Sequence, residues 1–414
     1  MLRFLVPITL WFLLDLYAYW GLKTMTARWT PGAAQAANLL FWGIDVVLLC
    51  IILYYGFSGK FSSGTNPQVS WIVSAVIITV IPKLLIITVL SMEDVVRLVM
   101  GMFTFGQKVF GITTPTDYIP GRRAFVSQLA FGLAAIPFVG LLYGAIKGKY
   151  DYRVHKIRLK FKDLPQAFHG FTITQLSDIH CGSFDDQEAV RRGIEMANAQ
   201  NSDILVFTGD MVNNKADELD DWVEHFGKLQ APMGKFSILG NHDYGDYLKW
   251  PSRSHKEQNM DKLQRLQREM GFNLLLNEHV RIEKEGQSIV LAGVENWGNR
   301  RFAKYGDLSK ALRGVDASDF TVLLSHDPSH WESVTLSAEK HVHLTLSGHT
   351  HGMQFGVEIP GFKWSPSKYV YPRWAGLYAE NNRHLYVNRG FGFIGYPGRV
   401  GILPEITVIE LLKA

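Results

Sequence analysis

Cysteine is scarce in this chain, with Cys50 and Cys181 the only two in 414 residues. Cys50 lies in an apolar run that reads as membrane-embedded, and Cys181 lies in a stretch that reads as soluble. A disulfide between them is therefore implausible, and neither identifies a redox compartment. Net charge is small as well, +4, so nothing in the bulk composition argues for a nucleic-acid partner. Tandem repeats, low-complexity tracts and long Gly/Ser linkers are all missing. What the chain does have is apolar residues, unevenly spread: the first third is dense in them and the rest reads as ordinary soluble protein.

Four apolar stretches are long enough to span a bilayer: Phe4 to Leu22, Ala36 to Phe57, Val69 to Leu90 and Ala124 to Ile146. One cleaved signal peptide does not explain four spans. A fifth run, Val99 to Ile112, is shorter and carries Lys108, so it reads as interfacial or packed on the bundle. Asp15, Asp45 and Lys83 fall inside predicted spans. Charge at that depth marks a functional site unless the charges pair with one another, and pairing is the reading favoured here, since no further titratable residues extend them into a relay. The division expected is residues 1–150 as a transmembrane domain and 151–414 as a folded domain. The join, roughly 147–152, is short enough to keep that domain close to the bilayer.

The folded part alternates strand-like and helix-like segments. Strands are predicted near 154–161, 171–177, 203–208, 235–239, 288–294, 320–325, 342–347, 384–388 and 405–411, and helices near 186–200, 217–229 and 256–270. Asp185 and Asp186 are suited to cap the first of these helices. Five of the strands run into chemistry: Asp178-Ile179-His180, Gly209-Asp210, Gly240-Asn241-His242-Asp243, Ser325-His326 and Gly348-His349-Thr350-His351-Gly352. Carboxylates, an amide and imidazoles gathered at the carboxyl ends of strands are what an open α/β sheet offers as a site. Cys181, beside His180, is either a soft ligand or a plain small residue.

That ordered motif set resembles the calcineurin-like metallophosphoesterases over roughly the last three-fifths of the chain. The tail Asn388-Arg389-Gly390-Phe391-Gly392, Pro397-Gly398-Arg399 and Pro404-Glu405-Ile406 resembles the subgroup with bacterial phosphodiesterases and lipid A precursor pyrophosphatases. The resemblance implies an α/β fold, a four-layer αββα sandwich of two mixed sheets, here preceded by an α-helical transmembrane bundle. It implies two divalent ions, manganese, iron or zinc by the mixed N/O donors. Asp178, His180, Asp210 and His351 would hold the first and Asp210, Asn241, His326 and His349 the second, with Asp210 bridging. Two such ions neutralise phosphoryl charge and acidify a shared water. His242 is expected to protonate the leaving oxygen or hold the phosphate, with Asp243 orienting it. Met353 stands where relatives often have a second glycine, a change to one wall that touches no ligand.

Substrate and topology are written less sharply. Aromatic and basic residues mix in Tyr244 to His255 and in Phe362 to Trp374. Such a mix suits a membrane interface with anionic head groups, nucleic-acid stacking or a partly buried loop, and the short join tilts it towards lipid. The expected function is a membrane-anchored phosphohydrolase acting on a lipid-linked phosphate or pyrophosphate ester. The alternatives are a phosphodiesterase for a small soluble diester with the spans as a mere anchor, or a non-catalytic metal-binding regulatory module. Lys23 and Arg28 follow the first span, and Arg97, Lys108, Arg122 and Arg123 lie between the third and fourth, against Arg3 and Lys60 on the other side. This asymmetry predicts a multi-pass protein of the bacterial inner membrane with both termini and the catalytic domain outside, in the periplasm; the alternative faces the cytoplasm. Gly121-Arg122-Arg123 also resembles a twin-arginine signal, or is a simple positive anchor, and either keeps those arginines inside. The basic run from Lys147 to Lys162 argues the other way, but it alternates with apolar residues as a half-buried strand would, and folded domains translocate largely regardless of charge.

Overall fold

A computed structural model describes residues 2–58, 67–111, 121–299 and 302–414, and the chain separates into two compact units. The first covers Met1–Gly64 and Trp71–Tyr143; the second covers Thr65–Ser70 and Gly144–Ala414. Lys60 and Ile112 lie outside the described residues.

The first unit is built from helices α1 (Leu2–Thr26), α2 (Pro31–Phe57), α3 (Pro67–Val109), whose start up to Ser70 falls in the second unit, and α4 (Arg122–Ile146), whose end from Gly144 does so too. Among the described residues α2, α3 from Val69 and α4 are long and apolar enough to cross a membrane. Helix α3 runs unbroken for 43 residues, roughly 65 Å at the helical rise and about twice a hydrocarbon core. The fifth apolar run is therefore not a separate segment: Val99 to Val109 continues α3, with Met100, Met102, Phe103 and Phe105 all exposed. The charges at membrane depth do pair. The Lys83 ammonium donates to Asp15 at 2.7 Å and to both oxygens of Asp45 at 2.5 and 2.6 Å. Further along α3, Glu93 and Asp94 accept from Arg123 at 2.7 and 2.8 Å, so the arginines that open α4 are partly neutralised.

The second unit holds two six-stranded mixed sheets among the described residues. Its strands are β1 (Arg153–Phe161), β2 (Phe171–Leu176), β3 (Ile204–Phe207), β4 (Lys235–Ser237), β5 (Phe272–Leu274), β6 (Glu278–Lys284), β7 (Gln287–Gly293), β8 (Thr321–Leu324), β9 (Leu344–Ser347), β10 (Val357–Ile359), β11 (Phe362–Trp364), β12 (Gly376–Glu380), β13 (Arg383–Val387) and β14 (Glu405–Lys413). The sheet orders are β1-β14-β2-β3-β4-β5 and β12-β13-β9-β8-β7-β6, with β10 and β11 a separate hairpin. Helices α5 (Gln187–Asn198), α6 (Val223–Gly227), α7 (Arg253–Glu269), α8 (Leu308–Ala311) and α9 (Ser329–Ser333) complete the unit.

Period-two burial explains the layering. In β3, Ile204 and Val206 face the core between the sheets, while Leu205 and Phe207 face α5 and α7 with Val190, Ile194, Leu263 and Leu266. In β7 and β8, Ile289, Leu291, Val322 and Leu324 fill the same central core, while Val290, Ala292 and Leu323 turn outward onto α8. Helix, sheet, sheet, helix follows, as expected. Helix α5 begins where the sequence says, with Asp186 accepting from the Ala189 amide at 2.9 Å, whereas Asp185 pairs with Lys149 at 2.6 Å. The single helix expected over 217–229 is instead a 3₁₀ turn, Ala216–Leu219, and the short α6. Glu218 is the reason: its carboxylate accepts from the amides of Asn213, Asn214 and Lys215 and folds the chain back on itself.

Candidate metal centre

The five strand-end motifs singled out in the sequence arrive at one edge of the two sheets, on the loops that follow β2, β3, β4, β8 and β9. These loops are wound tightly. Asp178, His180, Asp210, His349 and His351 all have left-handed backbones, at φ of 53°, 49°, 62°, 73° and 49°. This conformation is uncommon outside glycine and clusters at functional sites. The loops also interlock. A Cβ on Gly209 would meet the Gly240 amide nitrogen at 2.5 Å, and one on Gly240 would meet Asp210 Oδ1 at 2.3 Å. Asp243 ties the two together by accepting from the amides of Asp210, Met211 and Gly240 at 2.8 to 2.9 Å.

Two ligand-like groups result. Asp178, His180 and His351 form one, and Asp210, His326 and His349 the other, each with its donor atoms within 4.8 Å of one another. Asp210 Oδ2 lies between them, 3.5 Å from His180 Nε2 and 3.1 Å from His326 Nε2. Asn241 Oδ1 reaches His326 Nε2 at 3.1 Å, completing the second group. Cys181 is not part of either, since its thiol donates to the Glu218 carbonyl.

The imidazoles are aimed from behind. His326 Nδ1 sits 2.7 Å from the Thr208 carbonyl and so carries the proton, which turns Nε2 into the site. His349 is held through Nε2 by the Tyr371 hydroxyl at 2.7 Å, with Asp327 Oδ2 at 3.5 Å, and its Nδ1 faces His326. His351 Nδ1 meets Arg399 Nη2 at 3.1 Å, which leaves Nε2 towards Asp178. His242 Nδ1 lies 2.7 Å from the Asn213 carbonyl, and its ring stands 4.9 Å from that of His180. The Asp243 carboxylate accepts from the loop amides around Asp210, and the contact at His242 Nδ1 is the Asn213 carbonyl. Thr208, Asn213, Asp327, Tyr371 and Arg399 are thus functional neighbours that sequence reasoning did not assign.

The electrostatics are those of a cation site. Burial, then the neighbouring Asp210, raises Asp178 to about 6, and the same two causes raise Asp243 to about 7. Burial drives His180 down to about 3, so it is neutral and able to donate a lone pair. Both ring nitrogens of His180 and Nε2 of His351 are buried without a hydrogen-bond partner. Such groups cost stability unless something binds them, and a divalent ion fits these carboxylate, imidazole and amide donors, taking the place of the proton that Asp210 and Asp178, against burial, hold on His326, raised to about 10.

A fold of this class, with carboxylates and imidazoles converging at the sheet edge, is that of a metal-dependent phosphoesterase. Comparison with known proteins agrees. Residues 171–353 match the family model "Calcineurin-like phosphoesterase", and residues 2–149 match "Probable Calcineurin-like phosphoesterase, transmembrane domain". The chain is 32% identical to the Bacillus subtilis "Uncharacterized metallophosphoesterase YkuE" over 70% of its own length and 97% of that protein's. It is 30% identical to a zebrafish "Transmembrane protein with metallophosphoesterase domain", over 66% of this chain and 60% of the relative, so the match spans less than two thirds of that longer protein. It is 28% identical to the Chlamydia trachomatis "UDP-2,3-diacylglucosamine pyrophosphatase LpxG", over 56% of this chain and 81% of that one. The chain belongs to the calcineurin-like metallophosphoesterase family, and it is a hydrolase with a membrane-embedded amino-terminal part.

Proposed function

We propose that this enzyme is a membrane-anchored two-metal phosphohydrolase that cleaves a lipid-linked phosphate or pyrophosphate ester. The observation that carries the two-metal reading is Asp210 Oδ2 between His180 and His326, a carboxylate oxygen within reach of both ligand groups. In this reading Asp178, His180, Asp210 and His351 hold one ion, and Asp210, Asn241, His326 and His349 the other. The ions, when bound, neutralise the phosphoryl oxygens and acidify the attacking water. The protein residues do the rest. Asn213 fixes the tautomer of His242 so that Nε2 is free to act on the leaving oxygen, and Tyr371 and Arg399 hold His349 and His351 in register.

The lipid-linked substrate is supported by the membrane-length helices and by the relative named for a diacylglucosamine pyrophosphatase. The catalytic domain is proposed to lie outside the cytoplasm, on the Lys/Arg asymmetry of the short loops. The decisive experiment uses the purified full-length protein in nanodiscs. Metal analysis should return two divalent ions per chain, and turnover of p-nitrophenyl esters should require them. One ion per chain, or turnover indifferent to chelator, would sink the reading. A carboxyl-terminal alkaline phosphatase fusion that stays silent, with a fluorescent cytoplasmic reporter active at the same position, would reverse the topology.

A further inference from the structure

The hairpin β10–β11 is exposed on both faces except at the half-buried Trp364, and it shows apolar side chains to solvent. Its cross-strand pairs are Val357 with Trp364, Glu358 with Lys363 and Ile359 with Phe362. Directly paired residues share a face, so the charged pair lies on one side and the apolar pairs on the other. The charged side turns towards the protein. Glu358 accepts from Arg389 Nη2 at 2.6 Å, and the Lys363 ammonium donates to the Ala375 carbonyl and lies 5.2 Å above the Trp374 ring. The apolar side turns to the outside, with Val357, Ile359 and Phe362 exposed by 43%, 57% and 54%. A soluble hairpin ordinarily does the reverse. Pro360 and Gly361, the latter at φ +81°, close the tip in a tight turn that pushes Ile359 and Phe362 forward.

The position of the hairpin says what covers it. Its root, Gly356, donates to the Val400 carbonyl at 2.9 Å, and the adjoining Arg399 amide donates to the Gly144 carbonyl at 3.2 Å. Gly144 stands in the last turn of α4, a helix of membrane length, and belongs to the same compact unit as the hairpin. The hairpin therefore springs from beside the point at which the chain leaves its last membrane-length helix. Exposed Tyr369, with the Lys368 ammonium 5.1 Å over its ring, adds the aromatic and basic pair favoured at a bilayer surface.

We infer that the outward face of β10–β11, carried by Val357, Ile359 and Phe362, inserts into the interfacial layer of the bilayer that α4 crosses. The strand β10 follows directly on the His351–Gln354 turn, and Ser365, just past β11, donates back to the Gly352 carbonyl at 2.6 Å. Both ends of the hairpin are thus fastened to the segment that carries His351. The inference rests on the membrane anchoring of the proposed function and not on its chemistry.

The test is a depth measurement on the full chain in nanodiscs. In a Cys50→Ser background, Ile359→Cys and, separately, Phe362→Cys are labelled with an environment-sensitive nitrobenzoxadiazole dye. Glu285→Cys, at the exposed turn between β6 and β7, is the control, and the unsubstituted background is the blank for buried Cys181. Phosphatidylcholine carrying a nitroxide near the head group serves as the lipid quencher and iodide as the aqueous one. The dye at 359 and at 362 should shift to the blue and lose most of its emission to the nitroxide lipid, and the dye at 285 should respond to iodide alone. Iodide quenching at 359 equal to that at 285, with no response to lipid, overturns the inference. Protection from both quenchers also overturns it, since a second copy or another protein would then cover the face. Metal content measured on the same samples keeps a failure of the catalytic reading distinct from a failure of this one.

Discussion

Two clusters of buried charge in this protein obey opposite rules. In the helical unit, Lys83 donates to Asp15 and to both oxygens of Asp45, and the cluster is finished by its own atoms. In the catalytic unit, Asp178 and Asp210 stand among four imidazoles, and His180 and His351 keep buried nitrogens with no hydrogen-bond partner. The first is what a chain does with charge it must hide: the ions are matched on the spot, because an unmatched one is expensive. The second is what a chain does with charge it means to use. Completeness is therefore a better sign of function than charge itself, and the two clusters can be told apart by breaking them.

The largest effect is expected at Asp210. Asp210→Asn should weaken binding of both ions and abolish turnover, while a change at a terminal ligand such as His351 should be partly rescued by excess metal. Metal analysis decides between them, and two ions held as tightly as in the parent would remove Asp210 from its bridging place. His242→Ala should keep both ions and cost roughly 10²–10⁴-fold in turnover, the span of a lost general acid. The loss should shrink with better leaving groups across a series of aryl esters; a uniform loss would make His242 a phosphate anchor. In the other cluster, Lys83→Met strands two carboxylates and should destabilise the helical unit by about 3–5 kcal/mol. The triple change Lys83→Met, Asp15→Asn, Asp45→Asn should recover most of that, read as the detergent half-life of the folded protein. Failure to recover would mean that this cluster, too, does more than balance itself.

The smallest effect concerns acid. Glu405 is fully buried, and burial alone would raise it, but Arg389, at 2.5 Å, and the Tyr386 and Thr407 hydroxyls hold it down to about 2 from an ordinary 4.5. A lowered carboxylate stabilises the fold above its unfolded value and loses that contribution as pH falls through the folded one. The stability gap between the parent and Glu405→Gln should be widest above about pH 4.5 and close towards pH 2, followed by tryptophan fluorescence in urea.

Much of this was legible in the sequence because the site is made of side chains whose chemistry is distinctive. Asp178, His180, Asp210, Asn241, His326, His349 and His351 each end a run of strand-forming residues, and the long strands follow from alternating or continuous apolar pattern, except β6 (Glu278–Lys284), whose charged and largely exposed residues gave no such pattern. What escaped has physical reasons. Thr208 and Asn213 act through backbone carbonyls, which any residue supplies, so their identity carries no signal. Tyr371 and Asp327 reach His349 only after folding. Strands β5 and β10–β12 are three to five residues long, too short for a period to declare itself. The charged pair in β10–β11 facing the protein is the reverse of what pattern reading assumes. Continuity of α3 through Val99–Val109 was hidden by Glu93, Asp94 and Arg97, which look like the end of a span, but Arg97 pairs with Glu93 inside α3 and both acids pair with arginines at the start of α4.

The left-handed backbones at five of the seven expected ligands carry a thermodynamic consequence. Each costs of the order of 1–3 kcal/mol relative to a relaxed chain, and glycine, the usual remedy, has no donor atom to offer. The loops can hold that shape at rest because Asp243 and the glycine contacts over-determine it. Bound ions then act as ligands of the folded state alone, adding stability that grows with the logarithm of free metal. Metal supply would thereby act on how long the folded enzyme lasts as well as on whether it works.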